Sequence, residues 1–164
     1  MTDDSPPRVL ITAAAAELLG TLRDRHGPLM FHQSGGCCDG SSPMCYPDGE
    51  FIVGDRDVLL GVLQGAPVWI SGSQFETWKH TQLVIDVVPG RGGGFSLEAP
   101  EGVRFLSRGR AFTPAELEAL TADPPLTGVD YERGARARER DVVLVGDAAE
   151  ACEIPVRRAD VAPG

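Results

Sequence analysis

Three of the four cysteines fall within nine residues, and a histidine stands just ahead of them. The segment from Phe31 to Tyr46 reads FHQSGGCCDGSSPMCY and concentrates His32, Cys37, Cys38, Asp39, Met44 and Cys45. Thiolate and imidazole are the ligands that zinc, iron and copper(I) prefer. Glycines at 35, 36 and 40 allow sharp backbone turns, so side chains from one loop can converge. His80 is the distant partner, because it precedes the clearest strand pattern of the chain and a sheet could carry it to the loop. The expected metal ligands are therefore drawn from His32, Cys37, Cys38, Cys45 and His80, with zinc or iron as the ion. The spacing lacks a Cys-x-x-Cys pair. On alternating geometry the adjacent Cys37 and Cys38 point in opposite directions, so only one of them need be a ligand.

The same residues admit other chemistry. Cys37 or Cys38 could pair with Cys45 as a thiol redox site, transient under cytosolic reduction. A cysteine activated by His32 or His80 would be a nucleophile. Buried thiols can also be apolar filler. Elsewhere the signals are weaker. Gly90-Arg91-Gly92-Gly93-Gly94 follows a strand pattern as a phosphate loop does, but no helix pattern follows it, so a hairpin is expected. In Gln74–His80, Phe75 and Trp78 read as one turn of apolar face. Asp86 stands inside an apolar strand and needs a partner, His80 being one candidate. Glu98 raises the same question. There is no paired-carboxylate constellation and no Gly-x-Ser-x-Gly elbow, so an accessory role is expected rather than an enzyme.

These residues need elements to hold them. Thr12 is an N-cap candidate for a helix over Ala13 to Arg25, where Ala15, Leu18, Leu19 and Leu22 make one stripe. Gly27-Pro28 stops it. Strands are expected at 9–11, 29–32, 51–53, 58–63, 67–71, 81–88, 95–98 and 103–106, with a late edge strand at 142–145. Thr113-Pro114-Ala115-Glu116 is a capping box with proline at the first helical position, opening a short helix near 114–121. The expected organisation is a disordered lead at 1–7, one compact domain at 8–121, and a polar, partly mobile C-terminal extension at 122–164. Only Tyr131 among the ten aromatics lies in that extension.

Composition limits the partners. The net charge of −9 argues against nucleic acid and against an anionic membrane surface. There is no apolar run long enough to span a bilayer and no signal-peptide pattern, so a cytoplasmic location is expected. The 20 glycines and 13 prolines among 164 residues point to many turns and few long helices.

Three stretches, HQSGGCCDGSSPMC (32–45), WKHTQLVIDVVPGRGGGFSLEAP (78–100) and VRFLSRGRAFTPAE (103–116), resemble a small bacterial domain family of unknown function. The resemblance spans about residues 8–121. It implies genes encoded beside aldehyde dehydrogenases, and hence an aldehyde dehydrogenase as partner. ITAAAAELLG, Gly35-Gly36-Cys37 and GGFSLEAP (93–100) are similar to the HesB-like A-type iron–sulfur carriers. That second resemblance implies an α+β fold, a compact mixed β-sheet or sandwich of short strands with an N-terminal helix. Those carriers also use a Cys-Gly-Cys pair that is absent here, which speaks against an iron–sulfur cluster. The expected function is a metal-binding accessory protein for aldehyde oxidation. A cysteine-dependent redox enzyme and a non-catalytic interaction module are the alternatives. Short strands with open edges favour a homodimer.

Overall fold

A computed structural model describes residues 5–33, 43–50, 52–90, 96–136 and 143–144. The fold is α+β, and the described residues build two four-stranded mixed sheets and four α-helices.

The chain opens with β1 (Val9–Thr12) and α1 (Ala13–His26). Thr12 caps the helix, its Oγ1 accepting from the Ala15 amide at 3.2 Å, and Gly27 ends it at a φ of 81°. β2 (Leu29–Gln33) and β3 (Met44–Pro47) flank the cysteine loop. β4 (Val58–Leu63), β5 (Ala66–Ile70), α2 (Gly72–Trp78) and β6 (Thr81–Pro89) follow. The chain continues through β7 (Val103–Ala111), α3 (Pro114–Thr121), α4 (Gly128–Glu132) and β8 (Val143–Leu144).

The first sheet has the order β7-β6-β1-β8, with β1 parallel to both β6 and β8. The second has the order β3-β2-β5-β4, with β2 parallel to β5 and antiparallel to β3. One apolar cluster joins them. Ile11, Ile85 and Phe105 from the first sheet meet Phe31, Val68 and Ile70 from the second, and Leu19 and Leu22 of α1 complete it. Phe31 and Phe105 pack edge to face with centroids 5.0 Å apart, a preferred aromatic geometry.

Two local expectations are corrected. Ser96–Glu98 is a turn, although FSLE alternates like a strand. Ser96 and Glu98 are the buried members, because buried hydrogen-bond partners receive them. Residues 52 and 53 form no strand, and Ile52 is 89% exposed. Packed structure reaches before residue 8, since Ser5 donates to Asp123 at 2.7 Å and Gln82 donates to the Pro7 carbonyl at 2.8 Å. It also continues past residue 121, because Leu126 and Tyr131 cover the outer face of the second sheet. A lone aromatic in a polar segment is enough to dock it.

Candidate functional site

Alternation along β2 decides which way the site residues face. Phe31 turns into the core shared by the two sheets, while Met30 packs on the opposite face with Leu59 and Trp69. His32 lies on that second face. It is only 4% exposed, and its Nε2 stands 2.9 Å from Asp57 Oδ2. A buried imidazole needs a partner, and the carboxylate supplies it.

Asp57 is itself held. Its Oδ2 also accepts from the Gly54 amide at 2.9 Å, and its own amide donates to the Gly54 carbonyl at 3.0 Å. This is a side-chain-closed turn at the entry to β4. The Asp57 carbonyl accepts from the Gly128 amide at 2.8 Å, which brings α4 over the turn. Gly128 is required there, because a Cβ would stand 2.0 Å from the Gly54 carbonyl oxygen. Tyr131 then meets Trp69 edge to face at 5.3 Å. In register, His32 has Met44 opposite it on β3 and Trp69 beside it on β5.

Such a histidine–carboxylate pair fixes the ring's orientation. Metal-ligating histidines use this arrangement, and so do general bases. The loop that carries the thiols starts one residue beyond the next. Gln33 anchors that departure, its Oε1 accepting from Ser107 Oγ at 2.8 Å. Cys37, Cys38 and Asp39 lie outside the described residues.

Cys45 belongs to a different environment. It stands opposite Phe31 in register and is fully buried in the shared core. Its amide donates to Ser96 Oγ at 2.9 Å, and its carbonyl accepts from the Leu97 amide at 3.0 Å. Ser96 donates to Glu98 Oε1, and Glu98 Oε2 accepts from the Phe105 amide at 3.2 Å. Burial, seconded by the Glu98 charge, pushes the Cys45 thiol up to about 12. A thiol so raised is neither a nucleophile nor a thiolate donor near neutrality.

His80 follows α2 on the way into the first sheet. Its side chain is exposed and its carbonyl accepts from the Phe112 amide at 3.0 Å. Asp86 is paired elsewhere, with Thr12 Oγ1 at 3.0 Å and Arg108 Nε at 3.2 Å. The structure thus brings His32 together with Asp57 and sets Cys45 on the other face. Among the described residues no group of three or more His, Cys, Asp and Glu side chains is placed to hold a metal ion. Asp57 was missed by the sequence reading. An aspartate ahead of a strand is ordinary turn chemistry, and nothing local marks its partner 25 residues earlier.

A family described as a domain of unknown function, DUF779, matches residues 18–111, more than half of the chain. The chain belongs to the DUF779 family. The DUF779 span contains His32, Asp57, the cysteine loop, Cys45 and Glu98, so the paired imidazole and the buried carboxylate are both built from family territory. It stops at the last residue of β7 and excludes α4, whose Tyr131 covers Trp69. No curated protein and no solved structure matches the chain. No described helix is long and apolar enough to cross a membrane.

Proposed function

We propose that this DUF779 protein is a metal-binding accessory protein whose site is built on His32 and the thiols of the loop that follows it. The carrying observation is the buried His32 Nε2–Asp57 Oδ2 contact at 2.9 Å at the base of that loop. A carboxylate behind an imidazole is the outer-shell arrangement of ligating histidines. Cys37 or Cys38 supplies a thiolate in this reading. Cys45 faces the core and is left out of this proposed ligand set, while His80, exposed beyond α2, stays a candidate for a further ligand. Zinc or iron suits imidazole and thiolate donors. The proposed setting is aldehyde oxidation with an aldehyde dehydrogenase as partner, as the family resemblance implies, in the cytoplasm that the N-terminal sequence suggests. Self-association would use the outer strands β3 and β7, each at the edge of its sheet. Elemental analysis of the purified protein and of His32→Ala, Cys37→Ser and Cys38→Ser tests the site. Co-purification with a dehydrogenase and size-exclusion chromatography test the partners.

The second reading is a cysteine-dependent redox enzyme using Cys37 or Cys38. The same Asp57–His32 pair favours it, since a base that activates a thiol is oriented by a third group. Thiol-labelling rates against pH separate the two. An activated thiol labels well below the ordinary cysteine pKa of about 8.5, and a metal-bound one labels only after chelation.

A further inference from the structure

The N-terminal segment 5–9, the edge strand β4 and the stretch that follows α3 enclose a cavity of about 340 Å³. Hydrogen bonds tie its frame together. Arg8 Nη2 donates to the Leu120 carbonyl at 3.1 Å and to the Asp123 carbonyl at 2.8 Å, which fixes the N-terminal segment to the end of α3. The Leu59 amide donates to the Leu126 carbonyl at 2.8 Å, which fixes the later stretch to β4. Pro6, Pro7, Pro124 and Pro125 stand in the wall. Proline holds φ near one value and brings no N–H, so this part of the wall is stiff and has no donors of its own. Leu59, Leu60, Val62 and Leu126 add apolar surface. A pre-formed cleft of this size falls within the range that holds small organic molecules.

The charged residues around the cavity are two arginines, Arg8 and Arg136, and one aspartate, Asp123. The site is thus net positive in a chain whose net charge is −9. Arg136 stands exposed at the rim. Its Nη1 donates to the carbonyls of Tyr131 and Ala135 at 2.9 and 2.8 Å, and its guanidinium lies 3.8 Å from the centroid of the Tyr131 ring. Carbonyls and a ring hold this fork in place, and no carboxylate among the described residues pairs with it. A guanidinium fixed in this way, without a counter-ion, is pre-organised to receive a carboxylate. We infer that the cavity binds a small carboxylate with a compact apolar body, its head on Arg136 and its body against the leucines and prolines. Asp123 repels a second negative charge, which favours a carboxylate over a phosphate. The inference stands apart from the metal reading. Of the cavity's residues only those of β4 fall within the DUF779 span, so the site is built largely outside it.

The test uses the full-length protein, stripped of metal so that no ion offers the carboxylate another seat, in a buffer poor in chloride. Benzoate, hexanoate, phenyl phosphate and neutral benzamide are titrated, and binding is read by calorimetry and by chemical-shift changes. Benzoate or hexanoate is expected to bind once per chain with a Kd of about 1 mM or tighter, the range open to so small a ligand. The shifts should gather at Val9, Leu60, Val62 and Leu126. Phenyl phosphate and benzamide should bind more weakly than benzoate. Arg136→Met should weaken carboxylate binding at least about tenfold, the worth of one hydrogen bond to a charged group, and Arg136→Lys should restore part of it. No binding of either carboxylate overturns the inference, as do equal binding of benzamide, full affinity in Arg136→Met, or shifts gathered elsewhere. Phenyl phosphate binding more tightly than benzoate overturns the assignment to a carboxylate. Should Arg136→Met fold poorly, Val62→Phe decides, because it fills the cavity and leaves the guanidinium in place. Lost benzoate binding supports the site, and retained binding overturns it.

Discussion

His32 and Cys45 stand one register step apart on neighbouring strands, and their side chains face opposite sides of the same sheet. Pleating sends one to the carboxylate of Asp57 and the other into the core beside Phe31. Residues that share one short loop in the sequence are therefore divided between two chemistries. The outer face holds an oriented imidazole, and the core face holds a protonated thiol.

Cys45 is expected to resist alkylation in the folded protein at pH 8 and to react on unfolding. Its titration has a defined consequence for stability. Between its ordinary value of 9.0 and about 12 the unfolded chain has lost this proton and the folded chain keeps it. The folded state binds more protons there, so stability falls as pH rises through that window, by at most about 1.4 kcal/mol per pH unit. Below pH 9 the contribution is constant. Denaturant titrations of wild type and Cys45→Ala at pH 8, 9 and 10 read this, and the gap between the two should narrow with pH. Parallel curves contradict it.

Glu98 is the most deeply buried carboxylate among the described residues and should matter strongly to the fold. Changing it to Ala leaves the Ser96 hydroxyl and the Phe105 amide without their acceptor inside the core, at a cost of about 2–4 kcal/mol. Glu98→Gln keeps a carbonyl acceptor and should cost less. It should also lower the Cys45 thiol from its raised value without restoring the ordinary one, since burial is the larger cause. Urea midpoints and labelling rates of the two variants check both statements.

Asp57→Asn tests whether the carboxylate orients a ligand. Metal affinity should drop about 10–100-fold, the usual effect of removing an outer-shell partner of a ligating histidine. Far-ultraviolet circular dichroism should be unchanged, because an asparagine oxygen still accepts from the Gly54 amide and closes the turn. Unaltered affinity would remove Asp57 from the site.

Much of the frame was legible in the chain. The Thr12 cap, the alanine-rich helix with its Leu19 and Leu22 stripe, the β-branched run of β6 and the capping box at Thr113 are local signals, and local physics decides them. The misreadings share one cause. FSLE alternates as a half-buried strand should, but Ser96 and Glu98 go inward because the amides of Cys45 and Phe105 wait for them there. Those partners lie far away in sequence, so no local pattern announces them. The Asp57–His32 contact is hidden for the same reason. Histidine and cysteine density pointed to the loop 32–45, and the strand register separated His32 from Cys45.

The docking of α4 gives a prediction at some distance from the thiols. Gly128→Ala forces a Cβ against the Gly54 carbonyl oxygen, which is backbone and cannot yield. The segment should lift, uncovering Trp69 where Tyr131 now packs. Tryptophan emission should shift to the red and become easier to quench. Gly20→Ala is the control, because a Cβ there meets nothing within 4 Å in the middle of α1. It should stabilise the protein by about 0.5–1 kcal/mol and leave the emission alone.

The central claim is that His32 and the loop thiols hold a transition-metal ion. Its most direct test is the metal content of protein purified without chelators from metal-replete cells, measured by elemental analysis alongside His32→Ala and the Cys37→Ser, Cys38→Ser double variant. The account predicts about one equivalent of a transition metal per wild-type chain, as expected of a closed imidazole–thiolate site, and a large loss in both variants. Metal-free wild type, or equal metal in wild type and variants, would contradict it.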